Sequence, residues 1–360
     1  MFTLPPPLFS PATAQPAPAP GADVRAVGSD IAAGEPVLRA GDLVGPAEVG
    51  LAATAGVGAL PLHARPAVAV LSTGDELVDA CGGVWGGGNG AAATAPIPPL
   101  PPGKVYDANR PLLLSLATAA GAAVTDAGIA PDAGDAVGAA LDAALASAAH
   151  ILITTGGVSM GATDAVKPAL AARGTIHFGR CCMKPGKPLT FATLPRPGGR
   201  PPLLVFGLPG NPASAAVTFA LVVGPAIRAL AGWAAPRPRR VHVRLGAPVR
   251  LDPERPEYHR AALHWSPGGE GAAAAAAPVG GEGGGGGPVG LAVAGGFVAT
   301  STGGQISSRL GSVRGAGALL ELPAAAGVLP AGSVVSALVV GDVVAMGVAE
   351  GGAVAATPGM

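Results

Sequence analysis

Three short stretches hold residues whose types and spacing suit an anionic substrate carrying a metal ion. In TTGGVSMGATD, Thr154 to Asp164, the adjacent Gly156 and Gly157 let backbone N–H groups approach an anion with no Cβ in the way. Ser159 and Thr163 add hydroxyls, and Asp164 adds a carboxylate, so the stretch has the chemistry of a phosphate site with a metal ligand or base beside it. Standing alone, Gly-Gly also marks an ordinary turn in a chain with 58 glycines. STGDELV, Ser72 to Val78, repeats the theme of hydroxyl, glycine and carboxylate. In KPGKP, Lys184 to Pro188, prolines and a glycine hold two lysines in a stiff, extended loop. Of 22 basic residues only Lys104, Lys167, Lys184 and Lys187 are lysines, and three of these follow the glycine loop closely. Lysine kept there, in a chain that otherwise uses arginine, points to a task for a compact charge.

Each loop sits at the end of a recognisable element. The apolar run His150 to Ile153 reads as a buried strand before the glycine loop, and Ala165 to Ala172 as a helix after it, closed by Gly174. Ala67 to Leu71 is a strand entering STGDELV. VYDANRP places Asp107, Asn109 and Arg110 ahead of a helix from Pro111 to Ala120. Ala122 to Ile129 alternates as a strand, with Pro131-Asp132 next and a helix from Asp135 to Ala149. Thr175 to Phe178, Leu189 to Thr193 and Leu203 to Phe206 read as further strands. The last feeds GLPGNP, where Asn211 can cap and Pro212 can start a long helix to about Ala231. Strands alternating with helices predict an α/β fold, a mostly parallel sheet with helices on both faces, whose ligands bind at the strands' carboxyl ends. Past Gly232 the helical period gives way to short strands, which predicts a small C-terminal, barrel-like β-domain over residues 239–342.

Composition narrows the partners. Only 12% of the 360 residues are charged, against about 25% in an average globular chain, and the net charge is zero. No basic patch for nucleic acid follows from this balance, so the expected partner is a small molecule. Mean hydropathy is +0.48. The one stretch apolar enough to test as a membrane span, Ala213 to Ala235, contains Gly224, Pro225 and Arg228 and reads as a buried helix. Cys81, Cys181 and Cys182 show no zinc spacing and suggest a reduced, cytoplasmic protein. Residues 1–27 read as a disordered Pro/Ala-rich head, for which a transit peptide is weakly supported because no arginine precedes Arg25. Residues 81–102 and 268–290 read as low-complexity insertions and 343–360 as a tail.

Taken in order, STGDELV, DANRP, Pro131-Asp132, TTGGVSMGATD, MKPGKP and GLPGNP resemble the molybdopterin molybdenumtransferase family, the bacterial MoeA and gephyrin E-domain proteins. GQISSRLGSVRGAGALLELP, Gly304 to Pro323, resembles that family's C-terminal β-domain signature. The resemblance implies an α/β molybdopterin-binding domain over residues 63–235 and an enzyme that inserts molybdate into adenylylated molybdopterin with release of AMP, dependent on Mg2+. It implies pterin contacts at Ser72, Thr73, Gly74, Gly156, Gly157, Ser159, Lys167, Arg180, Pro209, Gly210, Asn211 and Pro212. Metal ligands would be Asp75, Glu76, Asp132 and Asp164, and molybdate would meet Lys184, Lys187, Pro188, Arg260, Ser307 and Ser308. Glu76, Asp132, Asp164, Lys184 and Lys187 would carry the chemistry. Plainer roles stand beside these: carboxylates capping helices, Lys167 solvated, Arg260 paired across strands, and the serines at turns.

The sequence departs from the family's pattern at its start. The family's SxxDGYA-like stretch, which contributes an acidic residue across a dimer interface, is absent, and residues 28–62 read as a remnant of the N-terminal linker domain. A homodimer is the expected assembly where that region is present, with a molybdopterin adenylyltransferase domain or protein as the partner that supplies substrate. Two alternatives remain open at this stage, a pterin-binding scaffold without turnover and a molybdopterin adenylyltransferase on the same fold.

Overall fold

The structure, a computed structural model, describes residues 19–22, 24–80, 100–132, 135–158, 165–269 and 293–341. Ser159, Thr163, Asp164 and Cys81 lie outside the described residues, as do most of the expected head, both insertions and the tail. Residues 1–61 and 62–360 form two compact units. In the first, helix α1 (Pro46–Thr54) begins with proline at its first turn, and Glu48 reaches back to accept the Gly45 N–H at 2.9 Å.

The second unit opens with β1 (Ala67–Thr73), followed by the short β2 (Leu77–Val78) and β3 (Val105–Tyr106), which pair in parallel. Helix α2 (Asn109–Ala119), β4 (Ala123–Ala130), α3 (Ala136–Ala146), β5 (Ile151–Thr155) and α4 (Val166–Ala171) come next. Then follow β6 (Thr175–Phe178), β7 (Thr190–Leu194), β8 (Leu203–Leu208) and α5 (Pro212–Thr218). The six-stranded sheet runs β4-β1-β5-β8-β7-β6. Its β4, β1, β5 and β8 are parallel neighbours, while β7 runs against both β8 and β6.

Both faces of the central strands β1, β5 and β8 are buried, which is why these strands read as nearly unbroken apolar runs, while the edge strands β4 and β6 stay partly exposed. Val68, Val70, Ile151 and Ile153 face α2 and the long helix, and Ala69, Leu71 and Leu152 face α3 and α4. Each such branched side chain contributes about 1.5–3 kcal/mol when fully buried. The long helix is not a regular α-helix throughout. After α5 it passes through a π turn at Phe219–Val223 before α6 (Gly224–Leu230). Pro212 to Leu230 is long and apolar enough to cross a membrane by length and composition, but Ala215, Phe219, Val223 and Ile227 are committed to the core beneath the sheet.

The C-terminal part is a closed barrel, β11-β12-β9-β15-β13. It is built from β9 (Arg240–Leu245), β11 (Glu257–Gly269), β12 (Val293–Ser301), β13 (Ala318–Leu322) and β15 (Val334–Val339), with β10 (Val249–Arg250) pairing β14 (Val328–Leu329) outside it. Val217 of α5 packs on Leu319 and Leu338 of the barrel. The fold class expected from the sequence, a mostly parallel α/β sheet followed by a small barrel, is the one observed.

Candidate active site

Three strand ends meet at one point. Thr73 and Gly74 leave β1, Gly156 and Gly157 leave β5, and Pro209 and Gly210 leave β8. Gly156 and Gly157 have φ of +88° and +59°, the left-handed region that glycine enters without a Cβ penalty. Space demands glycine there as well. A Cβ on Gly156 would run into the Thr73 carbonyl, and one on Gly157 would lie 2.7 Å from Val166 Cγ2 and 2.8 Å from Thr73 Oγ1. Asn109, at the start of α2, ties two of these loops together. Its amide donates to Thr155 Oγ1 at 2.8 Å and to the Gly210 carbonyl at 2.7 Å, while its Oδ1 is buried with no partner. The next residue, Arg110, is buried and bound by Asp107, Asp79 and Asp126. Burial alone would lower its pKa, but these carboxylates raise it well above the usual arginine value, so it anchors α2 as a permanent cation.

A cavity of about 910 Å³ lies over the three strand ends. Of the residues expected at the site, Thr73, Gly74, Glu76, Asp132, Gly156, Gly157, Lys184, Lys187, Pro188, Pro209, Gly210, Asn211 and Ser307 line it. The glycine loops, the carboxylates and the lysine loop thus line one space. Ser72, Asp75, Lys167, Arg180, Pro212, Arg260 and Ser308 do not line it. Ser72 is buried with an unpartnered hydroxyl, Arg180 is exposed, and the Lys167 stem packs against Gly179. Arg260 stands behind the wall, 1% exposed. Its Nε donates to Ser312 Oγ at 2.8 Å, its backbone N–H donates to Gln305 Oε1 at 2.9 Å, and its Nη1 has no partner. The cross-strand ion pair open to Arg260 on sequence grounds is not made among the described residues. Burial pushes its pKa down, with the Glu257 charge acting the other way.

The acidic side of the cavity is tightly interlocked. Glu76 curls over Gly74, and Asp75 Oδ1 accepts the Asp132 N–H at 2.9 Å. Asp132 Oδ1 is buried without a partner. Burial first, and then the charges of Asp75 and Glu76, hold the Asp132 carboxyl above the usual aspartate range, against the lowering effect of the backbone bond with Asp75. Acids that crowd one another around an orphaned oxygen suit a hard divalent cation. No preformed cluster of three metal-ligating side chains exists among the described residues, and Mg2+ needs none: it takes one or two carboxylates plus substrate phosphates and waters.

The C-terminal part adds Arg255, Gln305, Ile306 and Ser307 to the lining. Lys184 is joined to its partner Pro185 by a cis peptide. Its N–H donates to the Pro256 carbonyl at 2.9 Å, and its own carbonyl accepts from Tyr258 at 2.7 Å. Its Nζ lies 2.9 Å from Glu257 Oε2 and 3.2 Å from Asp252 Oδ2. Lys187 is exposed. Asn211 takes the N-cap position of α5, but its side chain does not cap the helix as expected; it donates instead to Ser307 Oγ at 2.8 Å. The helix's free Ala213 and Ser214 N–H groups are satisfied by the Ser307 carbonyl, at 3.1 and 3.3 Å. Sequence reasoning missed Arg255, Gln305 and Ser214, which line the cavity, and Asp252 and Glu257, which hold Lys184. A signal existed: Asp252, Glu254, Arg255, Glu257 and Arg260 fall within nine positions of a chain only 12% charged.

Comparison with known proteins gives a consistent result. The family model described as a probable molybdopterin binding domain matches residues 69–229. Those for the MoeA N-terminal region (domain I and II) and the MoeA C-terminal region (domain IV) match residues 9–56 and 288–340. The first of these two matches begins ahead of Gly28, where the sequence pattern was expected to start. The chain is 36% identical over 350 residues to gephyrin of Dictyostelium discoideum, covering 90% of this chain and 43% of that protein. It is 35% identical over 248 residues to molybdopterin molybdenumtransferase of Nostoc, covering 69% and 52%. The chain thus spans about half the length of the curated relatives it matches. The fold matches a molybdopterin biosynthesis MoeA protein of Pyrococcus horikoshii with a TM-score of 0.59 at 20% identity, covering 87% of this chain and 64% of that one.

Proposed function

The chain belongs to the MoeA and gephyrin E-domain family of molybdenum cofactor biosynthesis proteins, and on that footing we propose that it inserts molybdate into adenylylated molybdopterin with release of AMP. The observation that carries this reading is one cavity lined together by two glycine-rich strand ends, a pair of carboxylates and a lysine loop. The backbone N–H of Gly157 would receive the pyrophosphate, which the Cβ-free Gly74 and Gly156 would let approach closely while their own N–H groups bond the Ala130 and Leu208 carbonyls, with Ser72, Thr73, Ser159, Pro209 to Pro212, Lys167 and Arg180 shaping its surroundings. Asp132 and Glu76, with Asp75 beside them and Asp164 added by the family's pattern, would hold Mg2+, which when bound neutralises phosphate charge as AMP leaves. Lys187 and Lys184 would meet the molybdate dianion as N–H donors, with Pro188, Ser307, Ser308 and the buried Arg260 supporting them. The acidic loops would take the metal and pyrophosphate, and the lysine loop would take the oxyanion.

The substrate would come from a molybdopterin adenylyltransferase, as a separate protein or a further domain. The working state would be a homodimer in the cytoplasm. Purified full chain supplied with adenylylated molybdopterin, Mg2+ and molybdate should release AMP only when molybdate is present. The same assay separates this from a second reading, pterin binding without turnover. Nucleotide that binds and is never cleaved would favour it.

A further inference from the structure

Lys184 is held in a way the proposed reaction does not by itself require. Beside the main cavity is a second, of about 430 Å³, and Lys184 and Gln305 line both. Glu257 and Asp252 reach Lys184 Nζ from that side, at 2.9 and 3.2 Å. Glu257 is 4% exposed, and its other oxygen, Oε1, lies 3.0 Å from His259 Nδ1, whose Nε2 lies 2.8 Å from Ser301 Oγ. A buried carboxylate is costly unless paired, and here each oxygen of Glu257 has a partner. The backbone is pinned on both sides of Lys184 by the Pro256 carbonyl and the Tyr258 N–H. The ammonium is therefore fixed at its root and at its tip.

An ammonium carries three N–H donors. Two are committed to Glu257 and Asp252, so one is left to turn into the cavity; Arg255, whose Nη2 lies 3.9 Å from Asp252 Oδ2, shares that carboxylate with the lysine. Lys187, exposed on the same loop, carries no such clamp among the described residues. Resting on the molybdate-transfer reading, we propose that Asp252 and Glu257 are positioning residues. They hold Lys184 as a single directed donor, leaving Lys187 to attract the anion and Lys184 to discriminate oxyanions by the position of their oxygens. Electrostatics agrees with the geometry. Burial alone would lower the Lys184 pKa, but Glu257 and Asp252 outweigh it and raise it.

The test uses the full chain and two readouts that need no turnover. Amine acylation, followed residue by residue by mass spectrometry, requires the neutral amine, so the clamp should keep Lys184 slower than Lys187. In Glu257→Gln and in Asp252→Asn, Lys184 should acylate about tenfold faster, with Lys187 unchanged. Calorimetric binding of molybdate against sulfate, a smaller tetrahedral dianion, should show the preference for molybdate falling in both variants. Unchanged Lys184 reactivity, or an unchanged preference, would overturn the proposal. Should Glu257→Gln fail to fold, Asp252→Asn still decides, because Asp252 is 14% exposed, against 4% for Glu257. Parent chain that binds no molybdate would sink the transfer reading, while the acylation result would still decide the clamp.

Discussion

Asp132→Asn should make the chain more stable and less able to take a divalent cation. Asp132 is crowded by Asp75 and Glu76, and its buried Oδ1 has no partner. Its link to Asp75 uses the main-chain N–H and survives the substitution. A carboxyl whose folded pKa lies above its unfolded value favours the fold while protonated. That contribution is present at low pH and is lost as pH rises through the folded pKa, so at neutral pH the charge opposes folding. Removing a like-charge repulsion at this partly exposed position is worth ~0.5–1 kcal/mol, or ~1 °C in Tm for a chain of this size. Mg2+ at a hundred times its Kd would add about 2.7 kcal/mol to the parent and little to the variant. Calorimetric melting at pH 7, with and without Mg2+, measures both effects. A variant that melts lower than the parent, or that gains as much from Mg2+, would refute the reasoning.

Other substitutions probe the remaining walls. Asn109→Leu removes both bonds from its amide and leaves the Gly210 carbonyl unmatched, so stability should fall by ~2–4 kcal/mol, read as a lower urea midpoint with unchanged slope. Gly157→Ala forces alanine into φ of +59° at ~1–2 kcal/mol and meets Thr73 and Val166, so affinity for adenylylated molybdopterin should drop about tenfold or more. Lys187→Ala should raise the molybdate concentration for half-maximal AMP release about tenfold while nucleotide affinity stays level. The Glu257 carboxylate, drawn below the usual glutamate range by His259 and Lys184 despite its burial, should stabilise the fold above its unfolded pKa. That stability is lost as pH falls through the folded pKa, a loss absent in Glu257→Gln melts across an acid pH series.

The parts of this molecule legible in the sequence are those fixed locally. Strands buried on both faces announce themselves as runs such as Val68 to Leu71, and the pair Gly156-Gly157 marks a strand end where the backbone turns left-handed and a Cβ has no room. Lysine in a lysine-poor chain, 4 of its 22 basic residues, marks the loop that carries Lys184 and Lys187. What stayed hidden depends on contacts between residues distant in sequence. Nothing near Lys184 shows that Asp252 and Glu257 will reach it, nor that the Ser307 carbonyl will finish a helix begun at Pro212. Asn211 shows the same limit: its type and position read as a cap, yet a barrel hydroxyl competes for its amide and wins. The π turn at Phe219–Val223 also leaves no mark, because its apolar residues fit a regular helix equally well.

The central claim is that one cavity at the carboxyl ends of β1, β5 and β8 receives both the oxyanion and the nucleotide-bearing pterin. Anomalous diffraction from crystals of the full chain soaked in tungstate, an isosteric and strongly scattering stand-in for molybdate, tests it most directly. The expected result is a single peak within hydrogen-bond reach of Lys184 and Lys187, facing Gly156 and Gly157, and weakened in Lys187→Ala. A peak elsewhere in the molecule, or the same peak undiminished in that variant, would contradict the account.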